Sequence, residues 1–214
     1  MIIRQTPYIL ALLTLLTSCN NSSNNTTQTI QAKQLTLLEL KKDFKFSNLT
    51  KFEIDTFSWD TRPGKYKELD STTFYLIWQD GKRNFVGDGY DRDYLFSWQN
   101  RDSNFIEFTI LTQEESSYCS NITYFIFDKN GRVIDNFVTS SSCGDGGWTY
   151  SAWGKFTDSR TYEKLCIESE MTGMDTIGNK ELYEGDSTLY HFIINENGKV
   201  TQKEIYKKHF TDKL

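Results

Sequence analysis

The chain has 214 residues and a net charge of −5, with 15 Phe, 12 Tyr and 5 Trp but only 2 Pro. This length suits one folded domain with a single core. Because acidic residues are in excess and no basic cluster stands out beyond Lys207 and Lys208, we do not expect nucleic acid as a partner. The aromatic content favours β structure, since aromatic side chains suit a pleated, half-buried surface.

The start of the chain predicts export. Arg4 precedes the apolar run 8–16, which is about half as long as the roughly 20 residues that span a bilayer. A charged start, a short apolar core and small residues are typical of a secretory signal peptide. The run ends in Leu16-Thr17-Ser18-Cys19, which resembles the lipobox of bacterial lipoproteins. The resemblance implies that Cys19 carries a diacylglycerol and becomes the first residue after cleavage.

Residues 20–29 contain neither a charged nor an apolar side chain, so they cannot bury enough surface to fold. We therefore predict a signal peptide over residues 1–18, a lipidated Cys19 with a flexible polar tether over 19–30, and a single β-rich domain over 31–214. The lipoprotein family implies a cell-envelope location. In that family, Asp directly after the lipidated cysteine often signals retention in the inner membrane, so the resemblance with Asn20 at this position implies the outer membrane of a Gram-negative bacterium.

The rest of the chain predicts many short strands and at most one short helix, over residues 35–46. Runs rich in β-branched and aromatic residues alternate with polar turns. The strands are predicted near 51–58, 72–79, 82–87, 93–98, 104–112, 121–128, 132–140, 149–157, 160–169, 187–195 and 199–208. Short strands joined by short turns indicate an all-β fold, a single antiparallel meander of about ten strands that forms a sandwich or barrel. A propeller fragment is the alternative.

The strongest local signal is a hairpin that turns at Asn130 and Gly131. An Asn-Gly pair between two β-rich runs supplies the positive φ angles that a tight turn needs. Counting outward from this turn places Cys119 and Cys143 one residue out of register, and a single β-bulge would bring them opposite each other. We predict a Cys119–Cys143 disulfide, with Cys166 left as a small buried apolar side chain.

The most unusual local string is a candidate binding loop, formed by Gly144, Asp145, Gly146, Gly147 and Trp148. Its glycines permit close approach of the backbone or left-handed angles. Either Asp145 and Trp148 contact a ligand, or the loop is a tight connection with Trp148 in the core. The string resembles loops of uncharacterised bacterial lipoproteins, and this resemblance does not point to any particular activity. We expect valine at Gly146 or Gly147 to be more damaging than alanine at Gly198.

Other polar groups give weaker signals. Asp88, Asp91 and Asp93 resemble a calcium loop in composition, but Arg92 would compete for the carboxylates and the EF-hand order is missing. A solvated turn is the favoured interpretation, and we expect no metal and no cofactor. The sequence contains no motif for a nucleophile, a zinc site or a phosphate loop. We lean against an enzyme, although paired carboxylates emerge only on folding.

These observations predict a lipid-anchored envelope protein that acts as a binding or structural module. Its partners would be the membrane, through the anchor, and an envelope protein or a glycan. The alternative is a carbohydrate-binding or carbohydrate-active secreted module, for which tryptophans would provide a stacking face. A sugar-binding module would show an exposed, coplanar pair of Trp or Tyr. A hydrolase would show a cleft with facing carboxylates.

Overall fold

The computed structural model describes residues 36–54, 62–79, 81, 83–86, 91–114, 117–175, 177–178 and 180–213. All of them belong to one compact unit, Leu35–Leu214. Within these residues, no helix has both the length and the apolar character needed to cross a bilayer. The predicted signal peptide, Cys19 and the tether lie outside the described residues. The predicted domain limits therefore remain predictions.

The predicted all-β meander is confirmed, as one open, sandwich-like sheet. Its strands are β1 Phe46–Ser47, β2 Lys51–Phe52, β3 Lys67–Glu68, β4 Arg92–Gln99, β5 Ile106–Glu114, β6 Cys119–Phe127, β7 Val133–Asp145, β8 Trp148–Phe156, β9 Thr161–Asp175, β10 Lys180–Ile194 and β11 Val200–Lys213. From β4 to β11 each strand pairs with the next one along the chain. The short β1 adds to β4 in parallel, so the sheet is mixed. β2 pairs with β8, and β3 pairs with β4.

Both faces of β4–β6 are buried. The first core lies between one face and two short helices, and it contains Leu37, Leu40, Leu69, Phe74, Ile77, Trp78, Leu95, Trp98, Ile106, Phe108, Ile110, Phe125 and Phe127. The second core lies on the other face, where later strands cover it, and it contains Phe52, Tyr94, Phe96, Leu111, Ile122, Tyr124, Ile126, Phe137, Phe156, Tyr162, Phe192 and Ile194. Side chains alternate between these cores along each strand, because successive residues point to opposite faces.

The first helix is a 3₁₀ helix over Leu37–Asp43, inside the predicted range 35–46. The second corrects the sequence analysis, because the predicted strand 72–79 is the helix α1, Ser71–Ile77. Asp70 caps it, since its Oδ1 accepts a hydrogen bond from the backbone N–H of Thr73 at 2.8 Å. The described residues thus hold two short helices rather than one.

The other differences concern strand lengths. The described residues 83–86 of the predicted strand 82–87 are not extended into a strand. In contrast, the last hairpins are longer than predicted, since β10 begins at Lys180 rather than near 187 and β9 ends at Asp175. Most residues in these added segments of β9 and β10 are exposed or half-buried. The ends of β8–β11 therefore extend past the second core and present two accessible faces.

The predicted disulfide is confirmed. Cys119 and Cys143 lie directly opposite each other in β6 and β7, and their sulfurs are bonded. Two irregularities, at Ile122/Thr123 and at Ile126/Phe127, adjust the register, where the sequence analysis predicted one bulge. Cys166 in β9 is a buried free thiol, as expected.

Candidate functional site

The predicted binding loop is the turn that joins β7 to β8. Asp145 lies directly opposite Trp148, and between them Gly146 and Gly147 have φ angles of +57° and +112°. Backbone angles of this kind favour glycine, because an L side chain would be strained there. Gly144 and Asp145 are exposed at the end of β7. The five residues thus form a tight hairpin end on the surface, and their role in binding stays a prediction.

This turn is tied to the neighbouring strand. The backbone N–H of Met171 in β9 donates to the carbonyl oxygen of Gly147 at 2.8 Å. A Cβ atom added to Gly147 would lie 3.2 Å from the Cβ of Met171, whereas one added to Gly146 would meet no atom within 4 Å. Contacts with β9 therefore fix the turn at Gly147, whereas the space around Gly146 is free of neighbouring described atoms.

Two aromatic rings lie next to the turn on one face of β8. Trp148 and Tyr150 are two residues apart, so their side chains share a face. Their ring planes are parallel to within 7° and their centroids are 6.5 Å apart. The indole N–H donates to Oε1 of Glu168 at 3.0 Å, and the Tyr150 hydroxyl donates to Sγ of Cys166 at 3.3 Å. Both side chains are half-buried, so two fixed rings lie partly open to solvent.

Carboxylates continue this face across the next two strands. They are Glu168 and Glu170 in β9 and Glu184 and Asp186 in β10. Each carboxylate of β9 is directly opposite one of β10, and like charges in such positions repel. We call this surface, made of Trp148, Tyr150, Glu168, Glu170, Glu184 and Asp186, the acidic aromatic face.

Asp186 is the carboxylate of this face that β11 neutralises. Its Oδ2 lies 2.8 Å from Nζ of Lys207, and its Oδ1 lies 3.2 Å from Nδ1 of His209. The hydrogen bond from Lys207 lowers the pKa of Asp186, and His209 adds to this effect. Asp186 is therefore ionised at neutral pH and is not suited to act as a general acid.

The face borders a shallow cavity of about 220 Å³, lined by Trp148, Glu168, Ser169, Glu170, Glu184, Gly185, Asp186 and His209. Four carboxylates against the one charge of Lys207, with His209 neutral, give a local charge of −3. A ligand here would meet ring faces and hydrogen-bond acceptors. Such a surface disfavours anions and suits a neutral or cationic group.

In the part of the chain that the structure describes, no group of three or more His, Cys, Asp or Glu side chains is placed to hold a metal ion. Of the calcium-like string, Asp88 lies outside the described residues. Asp93 accepts hydrogen bonds at Oδ1 from Thr112 at 2.7 Å and from Arg83 at 2.9 Å. Burial raises the pKa of Asp93, and Arg83 opposes that shift. This carboxylate thus supports the contact between Arg83 and the sheet.

Sequence reasoning identified one end of the face and missed the rest. It singled out Trp148, but not Tyr150 or the carboxylates of β9 and β10. The alternation of Trp148 with Tyr150, and of Glu168 with Glu170, was a visible signal for a shared face. The register that brings these pairs together depends on the length of the last two hairpins, which the sequence analysis placed too short.

No family model and no solved structure matches this chain. One curated protein that is similar to part of it is the chloroplastic acetyl-coenzyme A carboxylase carboxyl transferase subunit beta of Olimarabidopsis pumila, 26% identical over 161 residues. The match covers 71% of this chain and 31% of that protein. The chain thus spans about a third of the length of this relative. A likeness of this extent does not show a family, and we transfer no activity from it.

Proposed function

We propose that this chain is a lipid-anchored protein of the bacterial cell envelope that acts as a binding module and holds its ligand through the β domain. The proposal of an envelope location rests on the lipobox-like string that ends at Cys19. The Cys119–Cys143 disulfide supports it, because disulfides form and persist in oxidising compartments such as the periplasm. With two or three acyl chains the attachment would be effectively permanent, since one chain alone binds only marginally.

Metabolic labelling with palmitate tests the anchor. We expect label on the wild-type chain and none on Cys19→Ala. The matched control is Cys166→Ala, which removes the buried free thiol and should keep the label. Label that persists on Cys19→Ala would contradict the lipoprotein assignment.

For the binding role, the observation that carries most weight is the parallel pair of Trp148 and Tyr150 beside the cavity. Aromatic side chains with one apolar face and a tethered polar end bind flat, partly apolar ligands. The exposed position of Asp145 at the adjoining turn supplies another acceptor within the same region. We therefore place the ligand on the acidic aromatic face.

A carbohydrate is the second candidate function, and the same ring pair favours it. The C–H side of a sugar ring is apolar and packs on aromatic faces, while carboxylates accept hydrogen bonds from its hydroxyl groups. The local charge of −3 selects against uronic acids and favours neutral or amino sugars. A hydrolase would need one carboxylic acid that stays protonated. The lowered pKa of Asp186 removes that residue from this role.

Calorimetric titration tests the carbohydrate function with three probes: amino chitosan oligosaccharides, neutral chitin oligosaccharides and anionic oligogalacturonate. We expect the amino and neutral sugars to bind and the uronate not to bind. Trp148→Ala should abolish binding, and the matched control Trp153→Ala, on the opposite face of β8, should retain it. Equal loss in both variants, or a preference for oligogalacturonate, would contradict the assignment. If none of the probes binds, the carbohydrate function is rejected and the palmitate test still decides the anchor.

A further inference from the structure

The face of β8–β11 opposite the acidic aromatic face carries a line of apolar side chains that belongs to neither core of the described residues. Four residues that lie directly opposite one another form it, one from each strand: Trp153, Leu165, Leu189 and Tyr206. We call this line the apolar row. It spans three inter-strand spacings, or about 14 Å. It lies in a groove of about 370 Å³. Tyr206 is 46% exposed and the other three are half-buried.

The row is not part of either core. An antiparallel sheet with one buried face usually has polar side chains on its other face. Here the two rows that flank the apolar row are mainly polar, as that rule expects: Lys155, Glu163, His191 and Lys203 on one side, and Ser151, Ile167, Ser187 and Lys208 on the other. An apolar row confined to one line of such a face indicates an interaction surface for a protein or a membrane.

Basic side chains surround the row. The four exposed lysines next to it are Lys51, Lys155, Lys203 and Lys208. Lys51 lies directly opposite Lys155, a pairing of like charges that destabilises a sheet, although Glu53 lies 2.5 Å from Nζ of Lys51. Four lysines against Glu53 and Glu163, with His191 neutral, give this face a charge of +2, whereas the whole chain has a charge of −5.

We propose that this lysine-rimmed apolar row docks on the surface of an anionic phospholipid bilayer. Trp and Tyr prefer the boundary between headgroups and acyl chains, and they stand at the two ends of the row. Lysines at the rim would contact lipid phosphates, and each adds attraction to an anionic surface. The proposal rests on the proposed function in one respect, that the anchor at Cys19 holds the domain beside a membrane. In this orientation the acidic aromatic face points away from the bilayer, toward a ligand.

Vesicle co-sedimentation tests the proposal on the processed chain from position 19, with Cys19→Ser so that no acyl chain contributes. Vesicles of phosphatidylcholine with phosphatidylglycerol should bind the protein, and phosphatidylcholine alone should bind it weakly. High salt should release it, because salt screens exposed charges. Each lysine near an anionic surface raises the partition coefficient of the protein onto vesicles about fivefold. The double variant Lys203→Gln, Lys208→Gln should therefore lower that coefficient about 25-fold. Tyr206→Ser should lower it further.

Matched controls lie elsewhere on the surface. Lys129→Gln removes an exposed lysine of the β6–β7 turn, and Ile177→Ser removes an apolar side chain that is 98% exposed. Both should bind vesicles as the parent does. Circular dichroism of every variant separates loss of binding from loss of fold. Because Tyr206, Lys203 and Lys208 lie on β11, which among the described strands is at the edge of the sheet and pairs with β10 alone, we expect these variants to fold.

Two results would overturn the proposal. One is binding that does not depend on phosphatidylglycerol or on the lysines. The other is the absence of binding to anionic vesicles. If the protein then forms a concentration-dependent dimer that Tyr206→Ser dissociates, a second copy of the chain is the occupant of the row. Neither result depends on the palmitate test. A chain that takes no palmitate but binds anionic vesicles would refute the anchor alone, and a labelled chain that fails to bind them would refute only the docking surface.

Discussion

Gly198 and Gly146 allow a matched pair of alanine substitutions in two hairpin turns. Both have positive φ angles, +81° and +57°, so alanine is strained at either position. Their surroundings differ. A Cβ atom at Gly198 would lie 2.9 Å from Cδ1 of Ile134 and 3.0 Å from Cε1 of Phe105, while one at Gly146 would meet nothing within 4 Å.

The difference in packing sets the magnitudes. Backbone strain costs about 1 kcal/mol in both variants. Alanine at Gly198 must also displace its neighbours. Overpacking costs about 1–3 kcal/mol, and the lower part of that range applies because Cδ1 is the mobile end of Ile134. We expect Gly146→Ala to lower the free energy of unfolding by about 1 kcal/mol and Gly198→Ala to lower it by about 2–3 kcal/mol.

Equilibrium urea unfolding with the disulfide intact measures both values, provided that the slope of free energy against urea is the same in the two variants. The sequence analysis compared valine at Gly146 or Gly147 with alanine at Gly198, and that comparison stays a prediction. Alanine at both Gly146 and Gly198 isolates the difference in packing. If Gly146→Ala destabilises the protein as much as Gly198→Ala does, then packing around Gly198 is not the cause and the reasoning fails.

Two further outcomes follow from local contacts. The disulfide closes a loop with a sequence separation of 24 residues. The double variant Cys119→Ala, Cys143→Ala should therefore lose about 3 kcal/mol of stability in urea unfolding. Peptide mapping of the parent protein without reductant should find this pair linked and Cys166 free. Asp70→Ala removes the cap of α1 and should cost about 1 kcal/mol at neutral pH, with Asp70→Asn nearly neutral. The backbone hydrogen bond from Thr73 lowers the pKa of Asp70, so its contribution is present above the unfolded pKa and should disappear as the pH falls through the folded pKa. A cost of Asp70→Ala that is unchanged in acid would contradict this.

The sequence was most informative where structure is local. The Asn130-Gly131 turn fixed the β6–β7 pairing, and from that pairing the Cys119–Cys143 disulfide could be predicted. A hairpin needs no information from distant parts of the chain, since turn type and strand alternation determine its register. The meander from β4 to β11 follows from repetition of the same unit.

Helix α1 could not be predicted in the same way. Its residues include two threonines and two aromatic residues, all of which favour strands. The structure makes it a helix because Phe74, Ile77 and Trp78, at helical spacing, all contact the first core. Burial of that face outweighs propensity, and the contact partners come from strands that follow later in the chain. A cap at Asp70 was the one local signal that pointed to a helix.

The accessible faces of β8–β11 depend on features that a single sequence shows only in part. Alternation along β8 places Tyr150 and Trp153 on opposite faces, and this much is readable from the chain. Which residues of β9, β10 and β11 join them is set by register, and a shift of one residue would exchange the two faces. In the register observed, Glu168 and Asp186 join Tyr150, while the leucines of β9 and β10 join Trp153. One strand group thus has an acidic face and a basic, apolar face. The vesicle and carbohydrate experiments test these two faces separately, with Trp148 and Tyr206 as their respective probes.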